Sequence, residues 1–316
     1  MQRPESGTPE AGLWWRWAAS ILFPGHLLLT ELTFGARFEH LALDLLFVVT
    51  AWAGPTARRF SMLAAPFAFG GMTYEAFHYL EPLRGPIHIA DLYHAEVALF
   101  SAPGPDGPQT LAAWFGEHNT PALDLVTGLS YATYVAWPPV LGIWLFFLHG
   151  GRHRDRTSRL AWAFLVMHAI GTVTWLVWPA APPWYVEEHG LGPAVLDAAQ
   201  SAAGAARFDA LLGTTYFASY YARSANVFGA MPSLHVAYTV IALCAVIGVS
   251  RGLVWFAAVF AAVVSFAAVY LGHHYVLDVV MGVVTGLVAW GVSIAGHALV
   301  SHGPHAALTP AEEGST

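Results

Sequence analysis

Apolar residues in this chain come in long runs, not in the alternation of a half-buried strand or the single stripe of a soluble helix. The runs lie at about 13–32, 39–54, 60–80, 123–149, 160–179, 233–250, 253–271 and 279–299. Most approach the roughly 20 residues that carry a helix across a bilayer core. The second is short and holds Asp44, so the pattern predicts about eight spans within a range of six to eight. The first run is Trp-rich and lacks a small-residue cleavage site, so it reads as a span, not a signal peptide. The expected fold class is all-α, a polytopic membrane bundle. A single integral-membrane catalytic domain covers 13–300, between a polar segment at 1–12 and a loose tail at 301–316.

Eight spans put both termini on one side of the membrane. With that side cytoplasmic, it carries Arg3, Arg16, Arg58, Arg59, Arg152, Arg154, Arg156, Arg159 and Arg251, and the other keeps Arg37, Arg84, Arg207 and Arg223. The excess follows the positive-inside rule. Two long loops, about 81–122 and 180–232, then lie on the outer face, where a site can be assembled.

Composition narrows the class. Charged residues make up only 10% of the chain and mean hydropathy is +0.53, which excludes an ordinary soluble domain or a disordered one. The net charge of −7 argues against a nucleic-acid partner, and the single Cys244 against a disulfide framework or a thiolate metal cluster. All the bases are Arg. The short, Lys-free chain points to a prokaryotic source, which would place the protein in the cytoplasmic (inner) membrane with its site on the periplasmic face.

Two strings stand out on that face. GAMPSLHVAY carries Pro232, Ser233 and His235 at the start of one span, and YLGHHYVLDVV carries His273, His274 and Asp278 at the start of the last. The chain crosses and returns once between them, so both histidines sit at the same depth. His274 and Asp278 are four apart, which stacks them on one helical face and predicts that Asp278 accepts the imidazole Nδ1 proton. Nε2 is then free to attack, and His235 is available as acid and base. Pro232 suits a helical first turn, whose free N–H groups, with Ser233 and the helix dipole, favour an anion. Taken singly, the His–Asp pair reads equally well as an interhelix hydrogen bond, and PSLH as an ordinary helix start. Paired at one depth, ionisable groups in a membrane mark a site.

PSLH followed about forty residues later by H-x-x-x-D resembles the type 2 phosphatidic acid phosphatase superfamily. LRGPIHI (83–89), APPWYVEEHGL (181–191), AARFDALLG (205–213), NVFGAMPSLH (226–235) and YLGHHYVLD (270–278) further resemble the inositol phosphorylceramide synthase branch. The resemblance implies a six-helix catalytic core and a triad of His274 as nucleophile, Asp278 orienting it and His235 as general acid and base. It also implies transfer of inositol phosphate from a phosphatidylinositol-like donor to a ceramide-like lipid alcohol through a phosphohistidine, with release of diacylglycerol and no cofactor or metal.

Departures from the wider superfamily matter. The phosphatases carry Lys and Arg before and after PSGH. Here there is no Lys, Leu replaces that Gly, and Ala268 stands where an Arg is expected. A phosphodiester carries one charge and needs fewer clamps than a phosphate dianion. Arg223, Arg84 or Arg207 could supply the remaining charge, with Arg223 preferred. Ser233, His273, Asp209 and Tyr185 are further candidates for substrate contact, whereas Glu75, Glu81, Asp91, Glu96 and Asp124, which flank the first outer loop, could hydrogen-bond inositol hydroxyls or face water, with water preferred. His88 matches the family's I-H string, but its role is not readable from sequence. Two other readings stand beside transfer: a lipid phosphate or pyrophosphate phosphatase using the same histidines, and an intramembrane metal or haem protein. The oligomeric state is not legible.

Overall fold

Each of the eight apolar runs is helical in the computed structural model, which describes residues 12–33, 35–224 and 226–302. The predicted polar segment and tail fall almost wholly outside the described residues. Three helices, α1 (Leu13–Thr33), α2 (Phe38–Trp52) and α3 (Pro55–Glu75), pack together around Trp15, Phe23, Phe47 and Ala68. Pro55 opens α3 at a position where its missing N–H costs nothing.

The first outer loop is structured. After the one-turn α4 (Phe77–Leu80) it holds α5 (Ala90–Phe100), the hairpin β1 (Ser101–Gly104) and β2 (Gly107–Thr110), and α6 (Leu111–Glu117). The run expected as one span at 123–149 is two helices, α7 (Pro121–Thr133) and α8 (Trp137–Phe147). Pro138 and Pro139 lack the N–H groups a continuous helix would need, so the chain breaks just before them. The break leaves Tyr131 and Tyr134 turned inward.

Next comes α9 (Arg154–Val177). The second outer loop carries α10 (Pro183–His189), α11 (Ala206–Leu212) and α12 (Tyr216–Tyr221), and the chain ends in α13 (Leu234–Val246), α14 (Arg251–Tyr270) and α15 (Val276–His302). The helix α9 is the hub: α3, α8, α13 and α15 all pack on it, over a core that includes Leu160, Phe164, Met167, Leu234 and Ile241.

Among the described residues, α9, α14 and Val276–Leu299 of α15 are long and apolar enough to cross a membrane, and α8 and α13 are apolar but shorter. Leu28, Leu32, Trp255, Phe256 and Val259 point outward and are more than half exposed. A surface of that kind belongs in lipid.

Glycine sets one contact that matters for the site. A Cβ on Gly282 of α15 would lie 2.4 Å from the Ser233 carbonyl oxygen, and one on Gly286 would lie 2.8 Å from Cβ of Val240. Without side chains there, α15 lies directly against α13, the helix that carries His235.

Candidate active site

His235 lies in the first turn of α13, and His274 in the short turn before α15. The Ser233 N–H donates to the Asp278 carbonyl oxygen at 3.0 Å, a direct tie between the starts of these helices. The result is a contact of 2.9 Å between Nε2 of His274 and Nδ1 of His235. Pro232 precedes the cap residue Ser233 and is not within the helical turn as expected. The Ser233 amide is committed to α15, and its buried hydroxyl has no hydrogen-bond partner.

The tautomer of His274 is set by the backbone. Its Nδ1 donates to the carbonyl oxygen of Ala230 at 2.8 Å, which leaves the Nε2 lone pair facing His235. Asp278 was expected to be that acceptor. Its Oδ2 instead lies 3.6 Å from Nδ1 and accepts the Tyr275 N–H at 2.8 Å. The side chain is fully buried, with Oδ1 unpartnered, and stands across a short gap from the imidazole.

Ala230 is held in turn by both outer loops. Its N–H donates to the Ala180 carbonyl at 3.2 Å, and Ala180 N–H donates to Phe228 at 2.9 Å. On the other side His88 and Ala180 form a parallel bridge, with Ala181 N–H to His88 carbonyl at 2.9 Å. This three-strand backbone clasp fixes the acceptor of the His274 proton. The His88 ring stacks on Trp178 at 4.2 Å and pairs with Asp91, which serves the same clasp.

Aromatic rings complete the enclosure. Tyr131 stacks on His235 with ring centres 4.4 Å apart, and Tyr134 lies 4.5 Å from it. His273 is stacked between Tyr221 at 4.4 Å and Tyr131 at 5.4 Å, and its Nε2 has no partner. Burial, with His274 beside it, pushes the His273 imidazole down to about 3, so it is neutral. His168 on α9 donates from Nδ1 to the Phe164 carbonyl at 2.8 Å and accepts the Tyr238 hydroxyl at 2.8 Å. All of these groups except Tyr131 line a cavity of about 600 Å³ that also takes in His235 and His274.

Glu96 serves neither water nor the cavity. It does not face water: it is 0% exposed, and its two oxygens accept the N–H groups of Val276 at 2.9 Å and Leu277 at 3.1 Å. A carboxylate from the first outer loop thus caps the helix that bears Asp278. Burial raises its carboxyl above the usual range, and the two N–H groups pull it back. Asp124 is also buried, with Oδ1 at 2.8 Å from Nε of Arg207.

Several substrate-contact candidates lie elsewhere. Asp209 caps α12, its oxygens taking the N–H groups of Phe217 at 3.2 Å and Ala218 at 3.0 Å. Tyr185 is buried against Phe228, and its hydroxyl accepts the Val195 N–H at 2.8 Å. Arg207 is held by Asp124 and lies over Tyr270, and Arg84 pairs with Glu81 at 2.8 Å and lies over Phe228. None of these four lines the cavity, whereas Arg223 and His273 do. Each has a partner within the protein instead: backbone N–H groups for Asp209 and Tyr185, carboxylates for Arg207 and Arg84. Among the described residues no group of three or more His, Cys, Asp or Glu side chains is placed to hold a metal ion.

Two comparisons decide what this cavity belongs to. Residues 106–292 match the PAP2 superfamily. Phosphoinositol dihydroceramide synthase of Bacteroides thetaiotaomicron is 36% identical over 270 residues, covering 84% of this chain and 86% of that protein. The chain belongs to the inositol phosphorylceramide synthase family within the PAP2 superfamily. Inositol phosphorylceramide synthase of Candida albicans is 33% identical over 173 residues, 54% of this chain and 36% of that protein. The catalytic subunit of the Saccharomyces cerevisiae enzyme is 25% identical over 279 residues, 86% of this chain and 66% of that subunit. No solved structure matches. As a member of this family the chain is an integral-membrane phosphotransferase. The superfamily match leaves out α1–α5 and therefore Glu96.

Proposed function

We propose that this synthase-family member moves inositol phosphate from phosphatidylinositol to a ceramide-like lipid alcohol and releases diacylglycerol. The observation that carries the chemistry is the 2.9 Å contact between His274 Nε2 and His235 Nδ1, with the His274 proton already on the Ala230 side. The head group and the acceptor follow what the relatives are named for, and the donor proposed is the phospholipid that carries that head group.

In the first half-reaction the phosphodiester sits between the two rings, which part to admit it. The His274 Nε2 lone pair forms a bond to phosphorus while the bond to the diacylglycerol oxygen breaks. That oxygen takes a proton from His235, which enters the step as the imidazolium and leaves it neutral. The phosphorylated His274 ring is a cation, with its Nδ1 proton on Ala230 and the Asp278 charge nearby. In the second half-reaction His235 removes the proton of the acceptor hydroxyl, the alkoxide attacks phosphorus, and the P–N bond breaks. Both histidines return to their starting states.

The excess of arginines toward the span ends expected to be cytoplasmic supports a site on the outer face of a bacterial cytoplasmic membrane, with both termini inside. The basic side chains that line the cavity, Arg37 and Arg223, are each ion-paired, which suits a monoanionic diester over a phosphate dianion. Incubation of detergent-solubilised protein with phosphatidylinositol and a fluorescent ceramide tests the proposal, with His274→Ala alongside. The expected result is a fluorescent lipid bearing inositol phosphate, absent in the variant. Free phosphate from a monoester lipid, with no such product, would assign the site to hydrolysis.

A further inference from the structure

The cavity extends from the two histidines to a second polar wall that the transfer chemistry leaves unused. This wall comes from the N-terminal helices, outside the segment that matches the superfamily. Arg37 stands just before α2, His40 in its first turn, and Glu75 at the end of α3. The Arg37 guanidinium bonds Glu75 and lies 3.0 Å from Glu39 through Nε. Nδ1 of His40 accepts the Arg37 backbone N–H at 3.1 Å, so its Nε2 carries the proton and donates to Glu75 at 2.7 Å. Arg223, from the end of the second outer loop, reaches Glu39 at 3.5 Å. Asn226, 9% exposed, also borders the cavity, and its buried Nδ2 has no hydrogen-bond partner.

Charge decides what such a wall can hold. Two guanidinium groups face two carboxylates, so the wall has no net charge to attract a phosphate dianion or a quaternary ammonium. It offers fixed acceptors on Glu39 and Glu75 beside fixed donors on Arg37, Arg223 and Asn226. A ring with several neighbouring hydroxyls, each both donor and acceptor, satisfies both kinds at once. Such groups would be orphaned by a head group lacking hydroxyls, which is how polar sites reject the wrong ligand most strongly.

We propose that Arg37, Glu39, Glu75, Arg223 and Asn226 form the subsite for a neutral polyol head group whose phosphate reacts at His274. This deepens the function proposed above and rests on it. The division of labour follows from the fold: α13–α15 supply the nucleophile, and α2–α3 supply the selectivity for what is transferred.

The test uses the full chain in nanodiscs, carrying His274→Ala so that no turnover occurs, and tritiated glycerophosphoinositol as the probe. Glycerophosphocholine and glycerol 3-phosphate are the comparison ligands. The structure predicts selective binding of the inositol probe and at least a tenfold loss on adding Glu75→Gln or Glu39→Gln. Glu39 is half exposed, so its variant keeps the fold even if Glu75→Gln does not. In parallel, variants with His274 intact receive phosphatidylinositol and phosphatidylglycerol together with fluorescent ceramide, and the product ratio is read. That ratio does not depend on the active fraction, and it should fall at least tenfold in both variants.

Unchanged binding and an unchanged ratio in the carboxylate variants, with inositol transfer intact, would overturn the subsite and leave the transfer reaction standing. Selective, Glu39-dependent binding with no transfer to any acceptor would do the reverse. Neither binding nor transfer would remove both.

Discussion

Asp278 Oδ2 stops 3.6 Å short of His274 Nδ1, and the proton it was expected to take belongs to the Ala230 carbonyl at 2.8 Å. In the proposed reaction tautomer selection falls to a peptide oxygen and charge stabilisation to a buried acid, two functions often joined in one carboxylate. That separation makes the two functions measurable apart.

Asp278→Asn should therefore lower turnover by roughly 10²-fold, about 2.7 kcal/mol of transition-state stabilisation. It should spare the tautomer that loss of the orienting acid destroys elsewhere. His274→Ala should lose turnover entirely, and His235→Ala should impair both half-reactions. Single-turnover kinetics with phosphatidylinositol check this. A loss in Asp278→Asn as complete as in His274→Ala would return tautomer control to the carboxylate.

Glu96 holds the start of α15 through two backbone N–H groups. Glu96→Gln keeps one acceptor oxygen, and Glu96→Ala orphans both buried donors at about 1–3 kcal/mol each. Thermal unfolding should rank wild type above Gln and Gln above Ala. Turnover should fall in the same order with KM held, because Asp278 shifts with its helix. A rise in KM with turnover unchanged would place Glu96 outside the positioning of that helix.

Gly282 permits the approach of α15 to α13. Gly282→Ala puts a methyl 2.4 Å from the Ser233 carbonyl oxygen, so the helices must part and the 2.9 Å histidine contact must lengthen. Overpacking of this kind costs about 1–3 kcal/mol. Activity should drop at least tenfold while the protein still elutes as a folded species by size exclusion. Gly252→Ala, where a Cβ meets only the far edge of Ser250 at 3.9 Å, should change neither.

His273 gives a pH signature. Its folded value near 3 lies below the ordinary 6.5, so the unfolded chain binds the extra proton between those values. Its contribution to stability is complete above about pH 6.5 and declines as pH falls, by at most about 1.4 kcal/mol per pH unit for one proton. Melting temperatures between pH 4.5 and 8 should fall toward acid in the wild type and less steeply in His273→Phe. Equal slopes would assign the acid sensitivity to other groups.

The amino-acid sequence by itself determined the helical membrane character, because runs of about 20 apolar residues have few other stable states. It also brought His235, His274 and Asp278 to one depth, since two crossings return a chain to the face it left. What it could not specify were contacts made by backbone atoms and by residues distant in sequence. The Ala230 carbonyl carries no side-chain signal, yet it takes the His274 proton because Ala180 and His88 hold its strand. Glu96 reads as a loop acid until the fold brings it to α15, 180 residues away. Asp209 and Tyr185 sit in family-like strings, but their polar atoms serve local backbone. Arg37, His40 and Glu75 carry no shared motif in sequence and meet on the cavity wall only through the packing of α2 and α3. Hydropathy is a property of neighbours along the chain and survives without a fold. Hydrogen-bond partnership is a property of neighbours in space, and only tertiary packing decides it.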